Sequence, residues 1–224
     1  MIAIISDVHG NYPALKAVLD EIDKLNVDSI ISLGDLAGYY CYINECIDLC
    51  KKYNVLNIMG NHDYYLLSGT GCPRSVSANI CLEHQMKTIT QDNYLWLKNS
   101  ISVLDNDLFS LRHGGWKDSL DEYIYHFSFN MIDGYNQKIF GSGHTHIQTI
   151  MQENGKIYFN PGSVGQPRDH DPRAAYAIID DAGCVKLRRC EYAVNETINA
   201  MKTLGFQDRI SICLRHGTKI GESL

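Results

Sequence analysis

Three times within the first 63 residues an apolar run ends on the same kind of polar cluster. Ile2-Ala-Ile-Ile5 runs into Ser6-Asp7-Val8-His9-Gly10, Ile30-Ile-Ser-Leu33 into Gly34-Asp35, and Val55-Leu-Asn-Ile-Met59 into Gly60-Asn61-His62-Asp63. Between the first two, Leu15, Val18, Leu19 and Ile22 carry helical spacing, and Pro13 is tolerated in the first turn. Residues 43–53 also read as helical. This strand–helix alternation predicts right-handed crossovers and a parallel sheet. The runs are apolar apart from Ser32 and Asn57, without alternation, as in strands covered on both faces. Open α/β sheets bind ligands outside the carboxyl ends of their strands, so the polar clusters are expected to converge there.

The second half has a different texture. Residues 64–99 read as helices with a break at Gly69-Thr-Gly-Cys-Pro73. From about 101 onward short β runs dominate. One over 107–115 leads to His113, and one over 138–146 leads to Gly143-His144-Thr145-His146. A strand over 155–163 follows, then a hairpin over 174–192 that turns at Asp180-Asp-Ala-Gly183. A helix is expected over 194–205 and another over 206–224. With no linker, repeat or low-complexity stretch, one domain over 1–224 is expected.

Composition narrows the function classes. The net charge of −6 argues against an extended nucleic-acid surface, which needs clustered basic residues. No run approaches the about 18 apolar residues of a membrane span, and the first apolar run is too short for a signal peptide. None of the eight cysteines forms a C-x-x-C pair, so neither a zinc ribbon nor a thioredoxin-type redox site is signalled. Reduced, largely buried thiols in a cytoplasmic protein are expected.

The polar residues at the strand ends are two carboxylates, an amide oxygen and five histidines: Asp7, His9, Asp35, Asn61, His62, His113, His144 and His146. Such mixed O and N donors suit Mn, Fe, Zn, Ni or Co as divalent ions better than Ca²⁺ or Mg²⁺. They are too many for one ion and fit two ions sharing a carboxylate, the arrangement used for in-line attack at phosphorus. His144 and His146, two apart, are expected to point to one side of an extended chain. His126 is an alternative to His113.

The blocks D-x-H (7–9), G-D (34–35), G-N-H-D (60–63), H-G (113–114) and G-H-T-H (143–146), in this order, resemble the calcineurin-like metallophosphoesterase superfamily. "SDVHGN" and "NPGSVGQPRD" (160–169) are similar to its small bacterial and archaeal stand-alone phosphodiesterases. The resemblance implies an α/β fold, a four-layer α-β-β-α sandwich of two mixed β-sheets flanked by helices. It implies Asp7, His9 and His146 on one metal, Asn61, His113 and His144 on a second, and Asp35 bridging. His62 becomes the general acid or charge stabiliser, and Asp63 the carboxylate that orients it. The implied substrate is a small phosphorylated molecule, a phosphodiester or phosphomonoester, with nucleotides among the candidates.

Several points stay open at the sequence level. Arg168 either contacts a substrate phosphate or pairs with Asp169 or Asp171. Tyr39, Tyr40 and Tyr42 either wall the site or pack the edge of a loop. Asn160-Pro-Gly-Ser163 reads as a turn beneath the site. Protein phosphatases and diadenosine tetraphosphate hydrolases of the superfamily resemble each other in G-D-x-x-D-R-G; here the run is Gly34-Asp35-Leu-Ala-Gly-Tyr-Tyr40, without that arginine. The alternative to an enzyme is a metal-stabilised scaffold that binds partner proteins, but scaffolds of that kind tend to lose the histidine found here at 62.

Overall fold

The computed structural model describes residues 1–222. Two five-stranded mixed sheets lie face to face. In the first, β1 (Ile2–Ile5), β2 (Ser29–Ser32) and β3 (Leu56–Asn57) are parallel neighbours. An antiparallel hairpin of β9 (Ala174–Ile179) and β10 (Val185–Cys190) continues this sheet beyond β1. In the second, β5 (Phe109–Leu111), β6 (Ile139–Gly141) and β8 (Lys156–Asn160) run parallel at the centre, with β4 (Leu104–Asp105) and β7 (Thr149–Glu153) antiparallel on the edges.

The inner faces meet in one apolar cluster. Ile4, Ile31, Leu33 and Ala177 come from the first sheet side, and Phe109, Leu111, Ile139 and Phe159 from the second. Each large side chain buried here is worth roughly 1.5–3 kcal/mol relative to exposure. The outer face of the first sheet is covered by helices: α1 (Tyr12–Asp23), α2 (Ile43–Lys52), α3 (Asn61–Ser68), α4 (Val76–Thr88), α5 (Gln91–Lys98) and α6 (Val194–Thr203) all contribute to its core. Their starts are chemically marked. Asn11, Ser75 and Thr90 each accept a backbone N–H three residues on, capping α1, α4 and α5. Over the second sheet lies an irregular aromatic segment, in which Phe127 stacks on Tyr158 at 3.7 Å and Trp116 packs against Phe140.

Three expectations change in detail. The third strand is only two residues long, and Asn61 opens α3 instead of ending a strand. The terminal segment forms two 3₁₀ turns, Asp208–Ile210 and Ile212–Arg215, instead of a helix. Gly205 and Gly217, both at positive φ, bracket it. β7 was not foreseen because it is an edge strand with Ile150 and Met151 both exposed, which erases the alternation that marks a half-buried strand.

Candidate metal centre

Every expected metal ligand follows the carboxyl end of a strand. Asp7 follows β1, Asp35 follows β2, Asn61 follows β3, His113 follows β5, and His144 and His146 follow β6. Asp7, His9, Asp35, His144 and His146 have left-handed backbones, with φ between 52° and 66°. For residues other than glycine each such conformation costs on the order of 1–3 kcal/mol and persists only where the surroundings over-determine it. Here they do. Asp7 N–H donates to Gly34, His9 N–H to Asp35, and Tyr40 N–H to His9, all at 2.9 Å. Gly165 N–H donates back to Asp7 at 3.0 Å.

The result is two buried groups, Asp7–His9–His146 and Asp35–His113–His144. In the first, His9 Nε2 and His146 Nε2 stand 3.1 Å apart, with Asp7 Oδ1 3.2 Å from His146 Nε2. In the second, His113 Nε2 is 3.1 Å from His144 Nδ1, 2.9 Å from Asn61 Oδ1 and 3.3 Å from Asp35 Oδ2. Nitrogens that each lie about 2.0–2.1 Å from one metal ion end up roughly 3 Å apart or slightly more, which matches both pairs. Asp35 Oδ2 is also 3.7 Å from His9 Nε2, so a single oxygen faces both groups.

The surroundings leave the required atoms free. Asp7 Oδ2 accepts from Ser6 Oγ at 2.6 Å and from His144 N–H at 3.1 Å, while Oδ1 is buried without a partner. Asp35 Oδ1 accepts from His62 N–H at 2.8 Å, and Oδ2 is the orphan. Leaving such acceptors unpaired is costly, and a cation satisfies them. His9, His113 and His146 fix their other nitrogens on the carbonyls of Ala37, Leu33 and Gln166 at 2.7–2.8 Å. Gly143 has no room for a Cβ, which would stand 2.2 Å from Ser6 Oγ, so the second sheet can approach the first only through a glycine.

Ionisation follows the same logic. Burial would raise Asp7 and Asp35, but the surrounding histidines outweigh it and hold both carboxyls low. Burial holds His9, His144 and His146 down, so these imidazoles are neutral. Ionised carboxylates and neutral imidazoles are the states a metal site requires. His113 is the exception: burial lowers it, yet Asp35 prevails and holds it at about 9. The donor set therefore fits a pair of divalent cations.

Some expectations are corrected. Asp63 does not touch the His62 ring. Its carboxylate accepts the N–H groups of Asp35, Ala37 and Gly60 at 3.0, 2.9 and 3.1 Å, buckling the Asp35 loop to the start of α3. His144 and His146 do not share one side of an extended strand. Their left-handed backbones send them to different groups. His126 is exposed and lies outside both groups. Of the tyrosines, Tyr39 stands edge-on to His9, 4.9 Å between ring centres, and 5.1 Å from His62, whereas Tyr40 is fully buried.

Arg168 pairs with neither nearby aspartate. Asp169 is held by Arg189, and Asp171 by Arg173 at 2.7 Å. The Arg168 guanidinium instead donates to Gln166 Oε1 and lies 5.5 Å from the centre of the Tyr39 ring. Ser163 does sit beneath the site, its Oγ donating to Asp7 O at 2.7 Å. Sequence reasoning missed Ser6 and Gln85. Gln85 is fully buried on α4 and ties down the backbone of Gly38 and Tyr40. Its only signal was a glutamine among the buried positions of a helix.

A model described as the calcineurin-like phosphoesterase superfamily domain matches residues 1–182. The chain belongs to this superfamily. It is 32% identical over 218 residues to the uncharacterized protein MJ0912 of Methanocaldococcus jannaschii, covering 88% of this chain and 89% of that one. It is 26% identical to phosphodiesterase MJ0936 of the same organism, over 72% of this chain and 82% of that one. Among solved structures, a metallophosphoesterase from Sphaerobacter thermophilus superposes with a TM-score of 0.85 at 28% identity, covering 97% of this chain and 99% of the other. The chain is thus a metal-dependent phosphoesterase, a hydrolase. No helix of this phosphoesterase is long and apolar enough to cross a membrane, among the described residues.

Proposed function

We propose that this phosphoesterase is a binuclear-metal phosphodiesterase acting on small phosphorylated substrates, built as one domain over 1–224. The observation that carries this reading is Asp35 Oδ2, an unpartnered buried oxygen facing both histidine groups. Asp7, His9 and His146 would hold one divalent ion, Asn61, His113 and His144 the other, and Asp35 both. When bound, two such ions acidify a water for attack on phosphorus and neutralise charge on the phosphate oxygens. Mn²⁺, Fe²⁺, Zn²⁺, Ni²⁺ and Co²⁺ all suit this donor set.

The protein supplies the rest. His62 is buried beside His9, with ring centres 5.0 Å apart, and its Nδ1 has no partner. Burial holds its pKa down, to about 4. A phosphate anion arriving next to the ring favours the protonated form, the state needed to deliver a proton to the leaving oxygen. Arg168 has no salt bridge among the described residues, which supports a role in donating to a non-bridging phosphate oxygen. It takes the part of the arginine missing after Gly34-Asp35. Tyr39 supplies an apolar wall next to both, which suits a diester carrying an organic group.

The test is hydrolysis of bis-p-nitrophenyl phosphate, compared with p-nitrophenyl phosphate, in Mn²⁺, Ni²⁺, Zn²⁺ and Fe²⁺. Metal-dependent release from the diester, lost in Asp35→Ala and reduced at least a hundredfold in His62→Ala, is expected. Full activity in both variants would refute the reading.

A further inference from the structure

Three of the four histidines in the two groups share one design: Nε2 faces the group and Nδ1 is fixed on a backbone carbonyl. His144 departs from it. It presents Nδ1 to the group, 3.1 Å from His113 Nε2, and its Nε2 is buried without a hydrogen-bond partner. No carbonyl takes that nitrogen. The carboxylate near it is Asp121, with Oδ1 at 3.6 Å. Asp121 sits on the irregular segment over the second sheet, seven residues after the His113-Gly114 block and outside all the blocks.

Asp121 is itself held from the opposite side of the site. Arg74, in the α3–α4 connection, grips both of its oxygens, and Tyr65 Oη on α3 donates to Oδ2 at 3.3 Å. Two residues on, the Tyr123 ring lies against His144, 3.7 Å between ring centres. One short segment therefore covers the His144 ring and aims a pinned carboxylate at its far nitrogen. A histidine that binds a metal through one nitrogen commonly donates its other N–H to a carboxylate, and losing that partner typically costs 10–100-fold in metal affinity.

We propose that Asp121, braced by Arg74, is the positioning residue for His144: it accepts the Nε2 proton, turns Nδ1 inward, and so sets the affinity of the second metal group. The inference rests on His144 being a metal ligand. The 3.6 Å separation exceeds hydrogen-bond length by about half an ångström, and the proposal requires the His144 ring to shift by that much toward the pinned carboxylate. The segment carrying Asp121 has no counterpart at the first group, where His9 and His146 rely on backbone alone. The two sites are thus expected to respond differently to changes in this segment.

The experiment is competitive zinc titration of wild type, Asp121→Ala, Arg74→Met and His144→Ala. Wild type is expected to bind two ions. Asp121→Ala should weaken the ion that His144→Ala removes by 10–100-fold, with the other within twofold. Arg74→Met should give a smaller loss at the same ion. In the zinc-loaded wild type, proton NMR should show a slowly exchanging downfield ring N–H that is absent in both Asp121→Ala and His144→Ala. Unchanged zinc affinity in Asp121→Ala overturns the inference. So does equal weakening of both ions together with a lower melting temperature of the metal-free variant, which marks a merely structural role. A wild type that binds no zinc, nor Mn²⁺ or Ni²⁺, refutes the metal reading beneath it instead.

Discussion

The role of Asp63 can be tested sharply, because the geometry contradicts the expected one. Its Oδ2 accepts from Asp35 N–H and Gly60 N–H, and its Oδ1 from Ala37 N–H, all buried. Consider Asp63→Asn, which keeps the shape and removes the charge. The better amide orientation places its oxygen where Oδ2 was and its NH₂ against the Ala37 N–H. Two bonds then fall from charge-assisted to neutral strength, costing about 1 kcal/mol each. The third is lost and leaves a buried donor facing a donor, at about 1–3 kcal/mol. The sum is about 3–5 kcal/mol.

Urea denaturation of the metal-free protein at pH 8 measures this directly. Metal affinity should fall with it, because the buckled loop carries Asp35 and the buckled turn carries Asn61. Had Asp63 served to orient His62, Asp63→Asn would instead lower kcat and leave stability nearly intact. A stability loss below about 1 kcal/mol combined with reduced turnover would show that the hydrogen-bond reasoning is wrong.

Other outcomes follow from single contacts. Gly38→Ala should lower metal affinity at the first group at least tenfold by calorimetry, since its Cβ would stand 2.5 Å from His9 Nδ1 at a φ of +122°. Arg168→Met should raise KM for a phosphodiester about tenfold to a hundredfold, the value of roughly 1.5–3 kcal/mol for a charge-assisted hydrogen bond; an unchanged KM would remove Arg168 from the site. In native protein, Ellman's reagent should titrate one thiol per chain, Cys184, and eight after denaturation. The other seven thiols are buried, and burial pushes Cys41 and Cys81 up to about 12. Chelation should abolish turnover and lower the melting temperature, because Asp7 Oδ1 and Asp35 Oδ2 then lose the partner that balances them.

Much of the site was legible without coordinates because strand ends are legible. An apolar run that stops at Asp7, at Asp35 or before His113 states both where the sheet ends and which donor it delivers. The parallel pairing of the first strands and the hairpin turning after Asp180 followed from the same periodicities. What stayed hidden were partners. Asp63 sits next to His62 in the chain, yet its three donors come from residues up to 28 positions away, brought there by the Asp35 loop folding over α3. The segment over the second sheet was illegible because its aromatics pack without a period.

The sequence by itself determined the inventory: which donor atoms exist, in what order, and at the end of which strand. Only the tertiary structure decided how they are shared out. His144 and His146 are two residues apart and were expected to face the same way. Left-handed backbone at each, held by hydrogen bonds from both sheets, turns them to separate groups. The pairing of Arg168 was open in the chain, and only the tertiary structure gave Asp169 to Arg189 and Asp171 to Arg173. The physical reason is common to all of these. Local propensity acts over a few residues, whereas ligand sets and charge pairs are settled by distances across the interface between two sheets.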